Sequence, residues 1–309
     1  MVAITHLKSL QALESALRAG SFKAAADRLG ITPAAVGQRI KTLEDYLGVD
    51  LLVRGRSGLR PTPELDQALP HLSEAFNALT RVSDILDFQR TNEIHIAANS
   101  DFIDLWLAPR LSAFRALHPH ILFCLNGEGD VPMRLGAADI EIRFSAPREG
   151  ADHLFHDALT VISSPENINR SDQAGITNVR DRLTGFPLLH LDFYKDDPAA
   201  PDWPEWIAAN SFNRANPAIG IRYQRLAPAL DAIIASAGYM ICGLAMLRPQ
   251  LEASAIAPAF PSIAPTLSSH THNARFRADA LNRPQVQRFR SWLLEEAEET
   301  RDWLEAGLH

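Results

Sequence analysis

SFKAAADRLGITPAAVGQRIKTLEDYLGVDLLVRGRSGLRPTP, residues 21–63, decides how the rest of the chain is read. Ser21 can cap a short helix, FKAAADRL, whose Ala24–Ala26 run lets a neighbouring helix approach closely. Gly30 stops that helix, Ile31 plugs the core, and Thr32 caps a further helix with Pro33 at its first position. Val36, Ile40 and Leu43 give this helix a buried face to about Tyr46, and Gly48 ends it. LLVRGRSGLRPT then reads as two short apolar runs around Gly55 and Gly58, a β-hairpin carrying Arg54, Arg56 and Arg60.

Immediately upstream, Leu7, Leu10, Leu13 and Leu17 fall at helical spacing, with Thr5 as N-cap and Gly20 as stop. Two short helices joined by a tight Gly-containing turn make a helix-turn-helix, whose second helix presents its first turns to the DNA major groove. The outward positions there are Thr32, Pro33, Ala34, Gly37, Gln38 and Lys41. The Gln38 amide suits adenine, while Thr32 and Lys41 suit phosphates. Guanidiniums on the hairpin suit the phosphate backbone or a minor groove. The plain alternative is a three-helix packing unit with solvated arginines. The order of an Ala-rich helix, a Gly turn, a capped helix and a basic hairpin favours DNA.

That ordered string resembles the N-terminal domain of LysR-type transcriptional regulators. The family reads SF-x-x-AA-x-x-L-x-[IV]-T-x-[SA]-A-[VL]-S-x-x-I-x-x-LE-x-x-[LF]-G-x-x-LF-x-R, and nearly every anchor has its counterpart here. Gly37 stands where the family carries a DNA-contacting Ser, which shifts the expected contacts to Gln38 and Thr32. Leu65 replaces the Gly of the family's T-x-x-G.

Further out, Leu65, Leu69, Leu72, Phe76, Leu79, Val82 and Leu86 form an apolar stripe along one long helix, with a kink or restart expected at Pro70. Either this helix lies on its own neighbouring domain or it pairs with a second copy. The resemblance implies the second, a homodimer through 63–89. It also implies tetramers through the effector domains and altered recruitment of RNA polymerase.

From 90 onward the texture becomes strand–helix alternation. Strands are expected at 94–98, 121–125, 139–144, 159–164, 187–192, 219–224 and 239–243, with a short helix at VPMRLGA. The leading βαβαβ order predicts a parallel α/β sheet with ligands at the carboxyl ends of its strands. SDFIDLWLAPRLSAFRALHP, ADIEIRF, FPLLHLDF and WPEWIAA resemble the LysR-type effector domain, most of all in the glycine-cleavage activator subgroup. That domain has a two-lobed, periplasmic-binding-protein-like fold. The chain therefore divides into a winged helix-turn-helix at 1–62, a linker helix at 63–89 and an effector domain at 90–309. Lobe I takes 94–162 plus 267–309, and lobe II 163–266.

Strand ends supply the cleft residues: Asn99, Ser100 and Asp101, then Glu128, then Arg143 and Phe144, with Gln224 and Arg225 opposite on lobe II. Ser100 opens a helix whose free N–H groups attract an anion. Arg143 suits a carboxylate clamp, or it is a surface or internally paired Arg. Glu128 and Asp101 suit an amine. The resemblance implies a small-molecule effector, such as a carboxylate or amino-acid-like metabolite. Phe193, Tyr194, Trp203, Trp206, His190 and Asp192 are pocket lining or core.

Composition agrees with this organisation. Residues 1–62 hold nine Lys+Arg against five Asp+Glu, whereas the whole chain of 309 residues carries a net charge of −7, so a basic head sits on an acidic body. No run of about 18 apolar residues is present to span a bilayer. Two cysteines, Cys124 and Cys242, make no disulfide framework and point to a reducing cytosol. Both lie in apolar strands, where a thiol is an inert core group rather than a redox sensor. Nucleophile elbows, phosphate loops and metal-ligand spacings are lacking, so neither an enzyme nor a cofactor is expected. His118/His120 and His270/His272 read as solvated loop residues.

Overall fold

A computed structural model describes residues 6–29, 31–55, 58–87, 92–130, 136–173 and 178–307. The chain forms two compact units, Met1–Thr91 with Glu128–Ala137, and Asn92–Gly127 with Ala138–His309. Among the described residues no helix is long and apolar enough to cross a membrane.

In the first unit, helices α1 (Leu7–Ala19), α2 (Phe22–Leu29) and α3 (Pro33–Leu47) precede the antiparallel hairpin β1 (Leu52–Gly55) and β2 (Gly58–Pro61) and the helix α4 (Pro63–Asp87). Gly20 and Gly48 end α1 and α3 at φ 72° and 69°, the left-handed region that favours glycine. Ser21 Oγ accepts from Ala24 N at 3.1 Å, as expected of a cap. Thr5 lies outside the described residues, and His6 takes the N-cap position of α1 without a side-chain bond. The core closes on Ala12, Leu13, Ala16, Ala25, Ala26, Val36, Ile40 and Leu43, and the alanines allow the close helix approach. Leu65 joins this core and Leu72 packs against it, so the start of the α4 stripe is spent within the unit. Of the kink or restart expected at Pro70, the restart is not observed: α4 runs through this exposed proline as one 25-residue helix.

The second unit is built on one connected sheet. Its strands are β3 (Glu93–Ala98), β4 (Leu122–Gly127), β5 (Ile140–Ser145), β6 (Asp152–Ser163), β7 (Leu188–Leu191), β8 (Ile221–Tyr223), β9 (Tyr239–Gly243), β10 (Ala257–Pro258) and β11 (Thr266–Phe276). Their order is β4-β3-β5-β11-β6-β9-β7-β8, with β10 paired to β6. The expected parallel sheet holds within each half, β4-β3-β5 and β9-β7-β8. Antiparallel pairings of β6 and β11 join the halves into a mixed sheet. These two long strands lie at the centre of the sheet, and β11 slips register on β6 between Leu267 and Thr271 and again between His272 and Asn273.

Helices α5 (Ala108–Leu117), α6 (Pro165–Gln173), α7 (Trp203–Asn210), α8 (Leu226–Ile234), α9 (Arg248–Glu252) and α10 (Pro284–Gly307) cover the sheet. A π-helical turn, Phe102–Leu107, leads into α5. The short helix expected at VPMRLGA falls mostly outside the described residues. Two expectations need correction. Strand β6 begins at Asp152, well before 159, and β11 was not anticipated at all. His272 is therefore no loop residue: it is buried in β11 among Phe102, Phe144 and Phe155, with ring centroids 4.8–5.2 Å away.

Candidate functional site

Helix α3 separates its two faces cleanly. Val36, Ile40 and Leu43 are buried, while Thr32, Pro33, Ala34, Gln38 and Lys41 are exposed. Thr32 Oγ1 accepts from Ala35 N at 3.1 Å, so its oxygen caps the helix and fixes how the first turn is presented. Gly37 is half-buried, and a Cβ there would meet Phe22 at an ordinary 3.7 Å. The position expected to face outward thus lies partly against α2. Lys41 pairs with Asp45 at 3.2 Å, and that carboxylate holds the ammonium above its usual pKa.

The hairpin is held to α3 by a residue sequence reasoning had not singled out. Glu44 Oε1 accepts from Leu51 N at 2.9 Å and Leu52 N at 3.3 Å. An acid just before the helix-ending Gly48 was its available signal. Arg60 is exposed on β2 opposite Val53, Arg54 stands on β1 opposite Leu59, and Arg56 lies outside the described residues.

Strand ends in the second unit carry the expected cleft residues in separate groups. Asn99 and Ser100 are half-buried after β3, and Asn99 Oδ1 accepts from Asp101 N at 2.8 Å. Asp101 is fully buried, and its carboxylate accepts from Leu226 N at 2.6 Å and Ala227 N at 3.0 Å. Arg225 approaches Asp101 at 3.5 Å and bonds Asp104 at 2.8 Å. The amine-binding role expected of Asp101 therefore gives way to bonds within the chain. Gln224 is exposed beside them. Asp104 was missed, although an Asp pair three residues apart marks one helix face.

Arg143 and Phe144 stand half-buried on β5, paired to Asn273 and His272 of β11. The Phe144 ring lies 5.5 Å from Phe193 and 5.3 Å from Tyr194 of lobe II, and 5.0 Å from His272. Glu128 is exposed and belongs to the first unit.

Behind this contact lies another acid the sequence left unremarked, a lone Asp in the apolar run of β6. Asp157 accepts from Tyr194 Oη at 2.8 Å and from the N–H of Ala158 and Ala245, both at 2.9 Å. Burial raises its pKa against the pull of those bonds. Burial, reinforced by Asp157, pushes the Cys242 thiol well above its ordinary value, and Cys124 is buried as well. Neither fits a thiolate sensor.

The remaining aromatics divide. Trp206 packs on Phe212 and Phe260, while Trp203 donates Nε1–H to Leu189 O at 2.9 Å. Trp203 also lines a lobe II cavity of about 400 Å³ with His190, Asp192, Asp197 and Arg222. Arg222 binds Asp192 there, and burial lowers the pKa of His190. No group of three or more His, Cys, Asp or Glu side chains able to hold a metal occurs among the described residues.

Comparison with known proteins gives this geometry a family. Residues 7–64 match the model of the bacterial regulatory helix-turn-helix protein, lysR family, and residues 89–298 match the LysR substrate binding domain. The transcriptional activator AmpR of Pseudomonas aeruginosa is 30% identical over 300 residues, covering 94% of this chain and 95% of that protein. The glycine cleavage system transcriptional activator homolog of Haemophilus influenzae is 27% identical over 300 residues, 93% of each chain. The solved effector domain of P. aeruginosa AmpR covers 69% of this chain and 99% of its own, at 26% identity and a TM-score of 0.50. With both matches in this order, the chain belongs to the LysR family of DNA-binding transcriptional regulators, with a C-terminal effector-binding domain.

Proposed function

We propose that α3 reads base edges in the major groove through Gln38, with Thr32, Pro33, Ala34, Gly37 and Lys41 around it. Arg54, Arg56 and Arg60 of the hairpin grip the backbone or a minor groove beside it. One observation carries this reading: α3 buries Val36, Ile40 and Leu43 while its capped first turns and Gln38 stand exposed. Glu44 fixes the hairpin to the same helix, which supports their acting as one surface. The far end of α4, where Val82 is 51% exposed, pairs two copies and so places two heads on two half-sites.

In the body, Arg143 and Phe144 at the strand ends favour a small carboxylate or amino-acid-like effector between the lobes. Such an effector shifts the population of lobe arrangements and re-spaces the heads in a dimer or tetramer. DNA bending and polymerase recruitment change with them. The resulting protein works in the cytosol, where its DNA is.

Footprinting of the purified protein on its upstream DNA across a salt series tests the head. Two separated protected half-sites are expected. Gln38→Ala should relax base preference, removing about 1–3 kcal/mol of discrimination at one position. Arg60→Ala should weaken binding to all sequences alike and reduce the salt slope by about 1. Equal loss of specificity in both variants would overturn this division of labour.

A further inference from the structure

The first turn of α8 meets a carboxylate delivered from the other lobe of its own chain. A helix begins with N–H groups that no carbonyl inside it can accept, and with a partial positive charge. Position 225, the N-cap of α8, has no side-chain cap bond. Instead Asp101, 125 residues earlier, gives one carboxylate oxygen to Leu226 N at 2.6 Å and the other to Ala227 N at 3.0 Å. Arg225 completes the arrangement, with Nε 3.5 Å from Asp101 and Nη2 2.8 Å from Asp104.

Both ends of this contact are fixed in different lobes. Asp101 is anchored in lobe I by its own N–H on Asn99 Oδ1 and by the π-helical turn that follows it, which buries Phe102, Ile103, Trp106 and Leu107. Helix α8 buries Leu226, Ala229, Leu230 and Ile233 in lobe II. The Asp101 carboxylate is buried, so its bonds are protected from competition by water, and charge-assisted bonds of this kind are the strong ones.

We propose that Asp101 is a built-in counter-anion that latches lobe I to lobe II, with Arg225 and Asp104 as the outer half of the latch. The end of α8 is then no subsite for the carboxylate of an effector, because the chain supplies that anion itself. The latch rests on the geometry of this chain alone. Only its meaning for effector choice rests on the proposed function.

The test uses the full-length chain, spin-labelled at Ala113→Cys in lobe I and Ala209→Cys in lobe II, both exposed positions. Cys124 and Cys242 are buried and leave the labels selective. Labelled protein is diluted into unlabelled protein so that only distances within one chain are read, and no ligand is added. One narrow distance distribution is expected for the parent. Asp101→Ala, and the near-isosteric Asp101→Asn should the alanine variant fail to fold, should broaden it toward longer distances. Amide exchange at Leu226 and Ala227 should rise about tenfold or more. Faster exchange with an unchanged lobe-to-lobe distance would reduce Asp101 to a local helix cap and overturn the latch. Slow exchange retained in both variants would overturn it as well. Footprints of the same variants keep the two readings apart: half-site protection that survives a failed latch leaves the regulator reading standing.

Discussion

His272 sits on β11 with its ring wholly buried, and no partner takes its Nε2. Burial alone pushes its pKa from 6.5 down to about 3. The folded protein therefore keeps this ring neutral where the unfolded chain protonates it. Its contribution to stability is complete above pH 6.5 and is lost progressively as pH falls toward 3. Between pH 7 and 5 this one group should remove about 2 kcal/mol from the effector domain. His272→Phe, which keeps a ring among Phe102, Phe144 and Phe155, should make urea midpoints measured over that interval correspondingly flatter. An unaltered pH dependence would show that the ring is protonated or solvated in the native state. Nothing in HTHNARF announces this burial: strand residues Thr271, His272 and Asn273 are polar, and their environment is made by distant β5 and β6. Asp101 was singled out from its strand end, yet its partner lies 125 positions away, beyond any local pattern.

At the scale of elements, the legible features were those whose causes are local. Ser21 and Thr32 cap the helices they precede, and Gly20 and Gly48 end the helices they follow, because each bond closes within a few residues. The wing depends on a contact of somewhat longer reach. Glu44 ties β1 to α3 through two backbone N–H groups, so Glu44→Ala should cost the head about 1–2 kcal/mol and blunt the contribution of Arg60 to DNA affinity. Glu44→Gln keeps an acceptor oxygen and should lose much less. Thermal unfolding and salt-dependent binding of the two variants separate these outcomes. If alanine and glutamine behave alike, the carboxylate does not hold the wing. Helix α4 shows the limit of periodicity: Leu65 and Leu79 lie on one stripe, yet one is buried in the head and the other is 46% exposed.

For the whole molecule, the pairing of two copies proposed above rests on that exposed end of α4. Val82→Glu should lower the mass in solution toward that of a single chain, measured by light scattering. Affinity for DNA with two half-sites should then fall far more than affinity for one, since the linked second site is lost. An unchanged mass would move the dimer contact away from α4. Sequence reading found the order of domains and the parallel halves of the sheet, because these follow from strand–helix alternation. It missed β11 and the first part of β6, through which the halves join, because these strands bury polar side chains and pair across more than a hundred residues. Where β11 slips register, residues 268–270 bow away from the ladder. Ser268 Oγ takes the Asp157 N–H at 2.7 Å, and Asp197 holds Ser269 and the His270 N–H. A ribbon of two continuous strands is stiff along its length and yields most readily where its rungs are missing. At residues 268–270 the ladder bonds give way to side-chain bonds, so there the join between the two halves of the sheet is carried by Asp157 and Asp197.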